Sequence, residues 1–263
     1  MSIAAETIES FRRDGACVLR GIFIDWIDTL RAGVDRNLAA PGPDVKIYQG
    51  KNGAGRFVGD YCNWDRIPEY REFIFKSPAG TIGRELMGGR DVRLFHEHVL
   101  VKEPGADVPT PWHQDQPYYC VDGRDTVSLW IPLDPVPRER TLEFVAGSHR
   151  WGKYFRPERF NKTALNENDG LEPVPDIDGN RDAYDILGWA LEPGDAVAFN
   201  YLTLHGAPAN ASKVEQRRAF SLRLLGDDAR FARRDGIVTS PPFRGVKLAH
   251  GAMMDAPEFP LLT

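Results

Sequence analysis

The sequence of 263 residues is poor in cysteine and in long apolar runs. Its three cysteines, Cys17, Cys62 and Cys120, lie far apart and form no CxxC pair. This spacing argues against a disulfide framework or a thiolate zinc site and fits a reducing cytoplasm. No stretch approaches the roughly 18 apolar residues that span a bilayer, and the acidic N-terminus does not resemble a secretory signal peptide. We therefore expect a cytoplasmic protein that does not act at a membrane.

Positive charge is not in excess, because 38 Asp and Glu outnumber 33 Lys and Arg, for a net charge of −5. Phosphate binding needs clustered basic side chains, so a nucleic-acid partner is not expected. The sequence contains no P-loop, GxGxxG, HExxH or GxSxG pattern. What remains is an ordinary globular composition, with 42% hydrophobic residues, that leaves the oligomeric state open.

The first ninety or so residues are predicted to be mostly helical. Apolar residues recur at helical spacing within 2–13 and again within 24–39, with a short strand between them at 16–23. Ser77 and Pro78 have the character of a helix N-terminus, and Gly88-Gly89 would end that helix. These helices are expected to support whatever core follows.

After residue 90 the pattern changes to segments rich in β-branched and aromatic residues, bounded by Gly, Pro and Asp. Helices first and strands later predict an α+β chain that is mainly β, organised as a single domain over 1–263 with its core at about 90–230. The polar insert 152–190 interrupts that core, and it could be a lid over a site or a surface excursion.

The stretch TPWHQDQPYYC contains the first candidate for chemistry. If it is a strand, His113 and Asp115 share one face and can converge on a metal. His205 follows a second strand-like segment and could be the third ligand. Two histidines and one carboxylate on one side of an ion leave three positions open, as in non-haem Fe(II) oxygenases. The alternative is that His113 and Asp115 are two polar side chains on an ordinary strand.

A buried cation near the metal would allow a keto acid to bind at those open positions. A keto acid that chelates iron through one end needs a positive charge at its other carboxylate, and arginine offers a two-pronged donor. On strand alternation Arg217 shares a polar face with Ser221 and Arg223, whereas Arg218 lies on the apolar face. We therefore expect Arg217 rather than Arg218 to face a pocket.

Taken together, these motifs resemble the phytanoyl-CoA dioxygenase family of Fe(II)/2-oxoglutarate-dependent oxygenases. The matching stretches are VLVKEPG, TPWHQDQPYY, VSLWIPLDPVPRERTLEFVAGSHRWG, LTLHGAPANAS and RRA, in family order from about 90 to 225. The resemblance implies a double-stranded β-helix (jelly-roll, cupin-like) core backed by the N-terminal helices. It also implies Fe(II) as the metal, with 2-oxoglutarate and O2 as co-substrates.

The resemblance further implies roles for individual residues. His113, Asp115 and His205 would be the iron ligands, and Arg217 would bind the far carboxylate of 2-oxoglutarate. Trp130, Gln114 and His98 would lie near the co-substrate. Where several relatives place a serine two residues after the second histidine, this chain has Ala207, so that contact must come from elsewhere.

Substrate-contacting residues are less well defined by the pattern. The aromatic residues Phe57, Trp64 and Tyr118 could line a cleft, although such residues are as often part of an ordinary core. We expect a small organic substrate that is hydroxylated with release of succinate and CO2, since a carboxylate at position 115 favours hydroxylation over halogenation. The alternative is a cupin-like isomerase or binding protein that holds a metal without redox chemistry.

Overall fold

The chain folds into two facing antiparallel sheets, with helices packed on the outer face of the larger sheet. The computed structural model describes residues 2–50, 55–159, 163–166, 170–210, 212–234 and 237–263. The helices are α1 Ala5–Asp14, α2 Ile27–Ala39, α3 Pro68–Lys76 and α4 Ala79–Met87. The strands are β1 Ala16–Leu19, β2 Lys46–Gln49, β3 Arg56–Tyr61, β4 Arg93–Lys102, β5 Thr110–His113, β6 Val121–Asp122, β7 Thr126–Pro132, β8 Glu143–Val145, β9 Ile186–Leu187, β10 Ala196–Phe199, β11 His205–Ala207, β12 Arg217–Leu225 and β13 Arg230–Phe231.

The larger sheet has seven strands in the order β1-β10-β7-β12-β4-β3-β2, and the smaller has four in the order β5-β11-β8-β9. A further pair, β13-β6, stands apart from both. Neighbouring strands of every ladder run antiparallel. Apart from β2-β3, β3-β4 and β8-β9, the neighbouring strands of the two main sheets are not consecutive in the chain, as the crossing connections of a double-stranded β-helix require. The predicted fold class, mainly β with N-terminal helices behind the core, is confirmed.

Strand β12, at the centre of the larger sheet, separates the two layers of the core. Successive side chains of a strand point to opposite faces. One set packs with the helices in the main apolar cluster: Phe220, Leu222 and Leu224. The other set faces the smaller sheet across a cavity: Arg217, Ala219, Ser221 and Arg223. One strand thus supplies both the apolar core and a row of polar groups.

The N-terminal helices form close to where the pattern predicts them. Helix α1 ends at Gly15, which adopts the left-handed conformation (φ 79°) that glycine tolerates without steric cost. Helix α4 begins one residue later than expected, with Pro78 at its N-cap, and the Ser77 hydroxyl accepts the Ala79 N–H at 3.3 Å. Gly88 ends this helix, as predicted.

The prediction of mostly helix before residue 90 is wrong for two further strands, β2 and β3. Both extend the edge of the larger sheet beyond β4. Strand β2 is an edge strand without a fully buried residue, so it lacks the alternation that identifies a half-buried strand. Strand β3 contains Gly59, which β-propensity disfavours.

The strand-like segment that leads to His205, GDAVAFNYLTL, does not continue as one strand into His205, because β10 and β11 belong to different sheets. Strand β10 ends at Phe199, and the chain crosses through a turn at Tyr201 before β11 begins at His205. His205 therefore starts a strand in the smaller sheet instead of ending one in the larger. None of the helices in the described ranges is long and apolar enough to cross a bilayer.

Glu97 is a fully buried carboxyl on the helix-facing side of β4. Burial, only partly offset by hydrogen bonds from backbone N–H groups such as that of Asn63, raises the pKa of Glu97 to about 8. The unfolded chain releases this proton near the ordinary value of 4.5. Between these two pH values the folded state binds the additional proton, so stability falls as the pH rises through this window.

We predict that Glu97→Gln removes this pH dependence. The variant should be more stable than the wild type at pH 9, on the order of a few kcal/mol, because it has no carboxyl to ionise. Urea unfolding of both proteins at pH 5 and pH 9 measures the effect, and Glu72→Gln on the exposed surface is the control. A variant that loses as much stability as the wild type, or more, between the two pH values contradicts the assignment.

Candidate metal centre and adjoining cavity

His113, Asp115 and His205 come together at one end of the smaller sheet. A donor atom from each lies within 4.8 Å of the other two, which is the spacing of ligands around a single ion. The Nε2 atoms of His113 and His205 are 3.6 and 3.9 Å from Oδ1 of Asp115. The structure thus unites the three residues that the sequence singles out as metal ligands.

Strand pairing explains this convergence. His113 is the last residue of β5 and lies directly opposite His205, the first residue of β11. Asp115 is not on the strand, because the backbone has already turned to helical angles there (φ −72°, ψ −43°). The turn is held by the Asp115 N–H, which donates to the carbonyl of Tyr201 at 2.8 Å. The expected strand geometry for His113 and Asp115 is therefore replaced by a strand end and a tight turn.

The hydrogen bonds of the two imidazoles leave their Nε2 atoms available. Nδ1 of His113 lies 2.8 Å from the carbonyl of Pro111, and Nδ1 of His205 lies 3.0 Å from the carbonyl of Thr203. A carbonyl oxygen only accepts, so in the neutral form of each ring Nδ1 carries the proton and Nε2 keeps its lone pair. Orientation of this kind by a backbone carbonyl is typical of histidines that bind metals.

The other carboxylate oxygen of Asp115 contacts side chains of the larger sheet. Its Oδ2 accepts the hydroxyl of Ser128 at 3.1 Å and lies 3.5 Å from Nε of Arg223. The same Nε donates to the hydroxyl of Tyr119 at 2.5 Å. These contacts fix the plane of the carboxylate and leave Oδ1 facing the two histidines.

Burial and charge set the protonation states in this cluster. Burial and the neighbouring His113 lower the pKa of His205 to about 3, so its ring is neutral and able to bind a metal. Burial alone would raise the pKa of Asp115, but the Arg223 guanidinium and the two imidazoles outweigh it and hold that pKa well below its ordinary value. A carboxylate beside two imidazoles is a donor set suited to a divalent transition metal.

A cavity of about 430 Å³ lies between these three residues and the inner face of the larger sheet. Its floor is arranged in rows across the strands, set by the register of β3, β4, β12 and β7. The first row is Phe57, Lys102 and Arg217, the second is Gly59, Leu100 and Ala219, and the third is Tyr61, His98, Ser221 and Trp130. Two cations thus lie at one end, small or apolar residues in the middle, and polar groups at the other end.

The cationic end is buried. Lys102 is 1% exposed and Arg217 is 7% exposed, and neither forms an ion pair within the described part of the chain. The Lys102 ammonium donates to the Pro208 carbonyl at 3.2 Å and lies 4.9 Å from the ring centroid of Phe57. Burial lowers the pKa of Arg217 to about 10 and that of Lys102 well below its ordinary value, and the proximity of Arg217 lowers the latter further.

Arg218 points to the opposite face of β12, as the alternation predicts. Its guanidinium binds the Asp134 carboxylate through Nη2 at 2.8 Å and Nε at 3.1 Å, and a further contact reaches Asp35 at 3.4 Å. These ion pairs lie outside the cavity. Arg217 is therefore the arginine that faces the cavity.

The remaining predicted site residues divide into two groups. Those that line the cavity are Trp130, His98, Phe57 and Tyr118. Gln114 does not, because its side chain bonds to backbone groups of Lys153, Leu202 and Phe155. Trp64 also lies elsewhere, packed against Phe75 and beneath Arg71 on the helical side. These placements differ from the expected ones for Gln114 and Trp64.

Three residues of the site were missed by the sequence-based argument: Lys102, Ser128 and Arg223. Lysine and arginine are rarely fully buried unless paired, so Lys102 gave no signal as a pocket residue. Arg223 could have been found, because it shares the alternating face of Arg217. Ser128 could not be recognised as a site residue from the sequence, because only the folded structure shows that its strand passes beside Asp115.

Described residues of the polar insert 152–190 form part of the cavity wall: Glu158, Arg159 and Leu165. The Tyr118 hydroxyl donates to the Glu158 carbonyl at 2.6 Å and accepts the Glu158 N–H at 2.8 Å. The Tyr118 ring also packs edge-on against His113, with centroids 5.7 Å apart. Residues 160–162 and 167–169 of the insert lie outside the described residues, and its role as a lid stays a prediction.

Known proteins share both the sequence pattern and the fold. A family model described as phytanoyl-CoA dioxygenase (PhyH) matches residues 11–219. The multifunctional dioxygenase prhA of Penicillium brasilianum is 22% identical, over 86% of this chain and 74% of the relative.

Two solved structures extend the comparison to the whole fold. The non-heme α-ketoglutarate-dependent carbocyclase SnoK from nogalamycin biosynthesis superposes with a TM-score of 0.75 at 22% identity, covering 99% of this chain and 97% of that one. The epimerase SnoN, solved with Fe3+, α-ketoglutarate and nogalamycin RO, gives a TM-score of 0.74 at 23% identity, covering 98% of each chain. At these identities the superpositions establish a shared jelly-roll fold.

We predict that divalent metal binding depends on Asp115 and on the serine that orients it. Asp115→Ala should abolish measurable Mn(II) binding, and Ser128→Ala should weaken it about 10-fold, because Oδ2 of the carboxylate loses its hydroxyl donor. Isothermal titration of the metal-free protein measures both. His250→Ala, an exposed histidine, is the control and should bind Mn(II) as the wild type does. Unchanged binding in Asp115→Ala would place the metal elsewhere.

Proposed function

The chain belongs to the phytanoyl-CoA dioxygenase family of Fe(II)/2-oxoglutarate-dependent oxygenases, and within that class we propose that it hydroxylates a small organic molecule. In this proposal His113, Asp115 and His205 hold Fe(II), Arg217 anchors 2-oxoglutarate, and O2 is the second co-substrate. Succinate and CO2 are the co-products. Epimerisation and carbocycle formation in proteins of the same fold show that one scaffold can serve several outcomes.

The observation that carries the proposal is the state of the three donor atoms. Both Nδ1 atoms are hydrogen-bonded to backbone carbonyls and Oδ2 of Asp115 is held by Ser128, so two Nε2 lone pairs and Oδ1 converge. Two imidazoles and one carboxylate on one side of an ion are the ligand set of non-haem Fe(II) oxygenases. The open side faces the cavity, where co-substrate and substrate would bind.

The buried cations support 2-oxoglutarate as the co-substrate. Two positive side chains without an acidic partner are costly to bury, and an entering carboxylate would compensate both. We propose that Arg217 binds that carboxylate with two parallel hydrogen bonds and that the Lys102 ammonium lies against it. Lys102 would thereby supply the contact that Ala207, lacking a hydroxyl, does not.

When bound, Fe(II) with 2-oxoglutarate and O2 supplies the oxidant that removes a hydrogen atom from the substrate and returns a hydroxyl group. The protein's own residues position the reactants for this chemistry. Lys102 and Arg217 set the distance of the co-substrate from the metal ligands. Tyr118 and described parts of the insert line one side of the cavity, where they would limit access of water.

A small-molecule substrate fits the space available, because about 430 Å³ has to accommodate both 2-oxoglutarate and the substrate. A CoA thioester is disfavoured because the sequence shows no evident basic cluster for its phosphates.

The cytoplasmic location and the single-domain organisation over 1–263 stay predictions from the sequence. The buried cations also argue against the alternative, a cupin-like protein without redox chemistry. Such a protein would have no need of two buried cations in the cavity beside the metal ligands.

The decisive experiment is anaerobic addition of Fe(II) and 2-oxoglutarate to the metal-free protein. We expect the weak visible charge-transfer band of an iron-bound keto acid, and its loss in His113→Ala, because that variant lacks one of the three ligands. On admission of O2, succinate should form slowly without substrate and faster with it. Absence of the band in the wild type, or an unchanged band in His113→Ala, would rule out the proposed chemistry.

The two neighbouring arginines provide a matched pair for the co-substrate. Arg217→Ala should raise the KM for 2-oxoglutarate by about 100-fold or more, because a buried charged hydrogen-bond partner is lost. Arg218→Ala removes ion pairs on the opposite face and should leave this KM within about 2-fold. Lys102→Met should give an intermediate increase. Succinate formation at varied 2-oxoglutarate measures all three, and equal effects at 217 and 218 would contradict the assignment.

A further inference from the structure

Three buried polar atoms beside the candidate metal centre lack a hydrogen-bond partner within the described part of the chain. They are Nδ1 of His96, Oγ of Ser221 and Nη1 of Arg223. All three side chains line the cavity, and they are 2%, 0% and 5% exposed, respectively. Buried polar atoms are paired in the great majority of cases, and an unpaired one destabilises the folded state. Three together indicate a site built for something other than folding.

The register of the larger sheet places these atoms as one group. Arg223 lies opposite His96 on β4, and Ser221 lies two residues earlier, opposite His98. Nε of Arg223 is 3.5 Å from Oδ2 of Asp115, so the group adjoins the proposed metal ligands. Arg217 is six residues away along β12, or about 20 Å at the usual rise of a strand. The group is therefore at the opposite end of the cavity from the cations proposed to bind 2-oxoglutarate.

The chemistry of these atoms defines what they can bind. Nη1 of arginine can only donate, and a serine hydroxyl can donate or accept. Burial and the nearby guanidinium of Arg223 lower the pKa of His96 well below its ordinary value, so its ring is neutral and can donate through one nitrogen. A ligand that satisfies all three must present a hydrogen-bond acceptor. A protonated amine would instead face the positive charge of Arg223.

We propose that His96, Ser221 and Arg223 form a substrate subsite that binds an acceptor oxygen, a carbonyl or a carboxylate. This inference rests on the proposed function and defines the substrate class of the same site. Holding that oxygen beside Asp115 presents the adjoining carbon of the substrate to the metal, while 2-oxoglutarate occupies the far end of the cavity.

Aromatic side chains flank the subsite and determine a suitable probe. The ring of Tyr61 meets those of His96 and His98 edge-on, with centroids 6.3 and 5.4 Å apart. Tyr118 lines the same cavity. A benzene ring carrying one functional group therefore matches the surroundings, and benzoate, benzamide and benzylamine vary that group at nearly constant size.

The test titrates each probe into the enzyme loaded anaerobically with Fe(II) and 2-oxoglutarate, following the visible band. Benzoate and benzamide should perturb the band and benzylamine should not. Ser221→Ala should weaken benzoate binding about 10-fold, as the loss of one hydrogen bond to a charged group predicts. Ser240→Ala, which removes a cavity-lining hydroxyl that is not one of the three unpaired atoms, should bind benzoate as the wild type does.

A second measurement separates a ligand-binding role from a structural one. Because the Ser221 hydroxyl is unpaired, Ser221→Ala should raise the melting temperature of the metal-free protein, by about 2–4 °C. A hydroxyl that supported the fold would lower it when removed. Ser240 contacts the Tyr61 hydroxyl at 3.4 Å, so Ser240→Ala should show no such gain.

The subsite is refuted if benzylamine binds as tightly as benzoate, if neither benzoate nor benzamide binds, or if Ser221→Ala behaves like Ser240→Ala in both measurements. Failure of the proposed function has a different signature, since the wild type would then show no visible band before any probe is added. In that event the melting temperatures of the two serine variants still decide whether the Ser221 hydroxyl is unpaired.

Discussion

The side-chain alternation of β12, held in register between β4 and β7, is the constraint on which the rest of the structure depends. Paired on both sides along most of its length, this strand directs Arg217, Ser221 and Arg223 into the cavity and its apolar residues toward the helices. A slip of one residue would exchange the two sets and bury Arg218 in the cavity instead. The helices therefore matter to the site indirectly, because they stabilise only the register that presents the polar face inward.

The same alternation explains how much could be predicted from the sequence. It was sufficient to favour Arg217 over Arg218 as the cavity-facing arginine. The HxD pattern with a distant histidine left the metal site open, and only the surrounding motifs, through their resemblance to a known family, singled out the three residues whose donors converge. The alternation could not place Gln114, whose side-chain amide forms hydrogen bonds with backbone groups of a segment about 40 residues later in the chain. Nor could it identify Lys102, since only the folded structure shows that this lysine is buried beside another cation.

The polar groups of the cavity differ in how many of their hydrogen-bond and ion-pair partners the protein itself provides. The carboxylate oxygens of Asp115 have partners, and each imidazole is oriented by a backbone carbonyl two residues earlier in the chain. At one end of the cavity Lys102 and Arg217 bind backbone carbonyls but have no acidic partner among the described residues. At the other end three buried polar atoms lack a hydrogen-bond partner within the described ranges. Such a division is typical of a site in which the protein preorganises the reactive centre and leaves the binding energy to its ligands.

The histidines belong to the smaller sheet, whereas the groups proposed to bind co-substrate and substrate belong to the larger one. Phe144 and Phe199 lie between the sheets, with ring centroids 5.9 and 4.5 Å from that of His205. In the proposed arrangement, the thickness of this apolar layer would therefore set the spacing between the metal and the reactants. A change there that the fold tolerates would still displace the oxidant from its target, so that co-substrate is consumed without product. Reaction fidelity is in this sense a property of the intersheet packing.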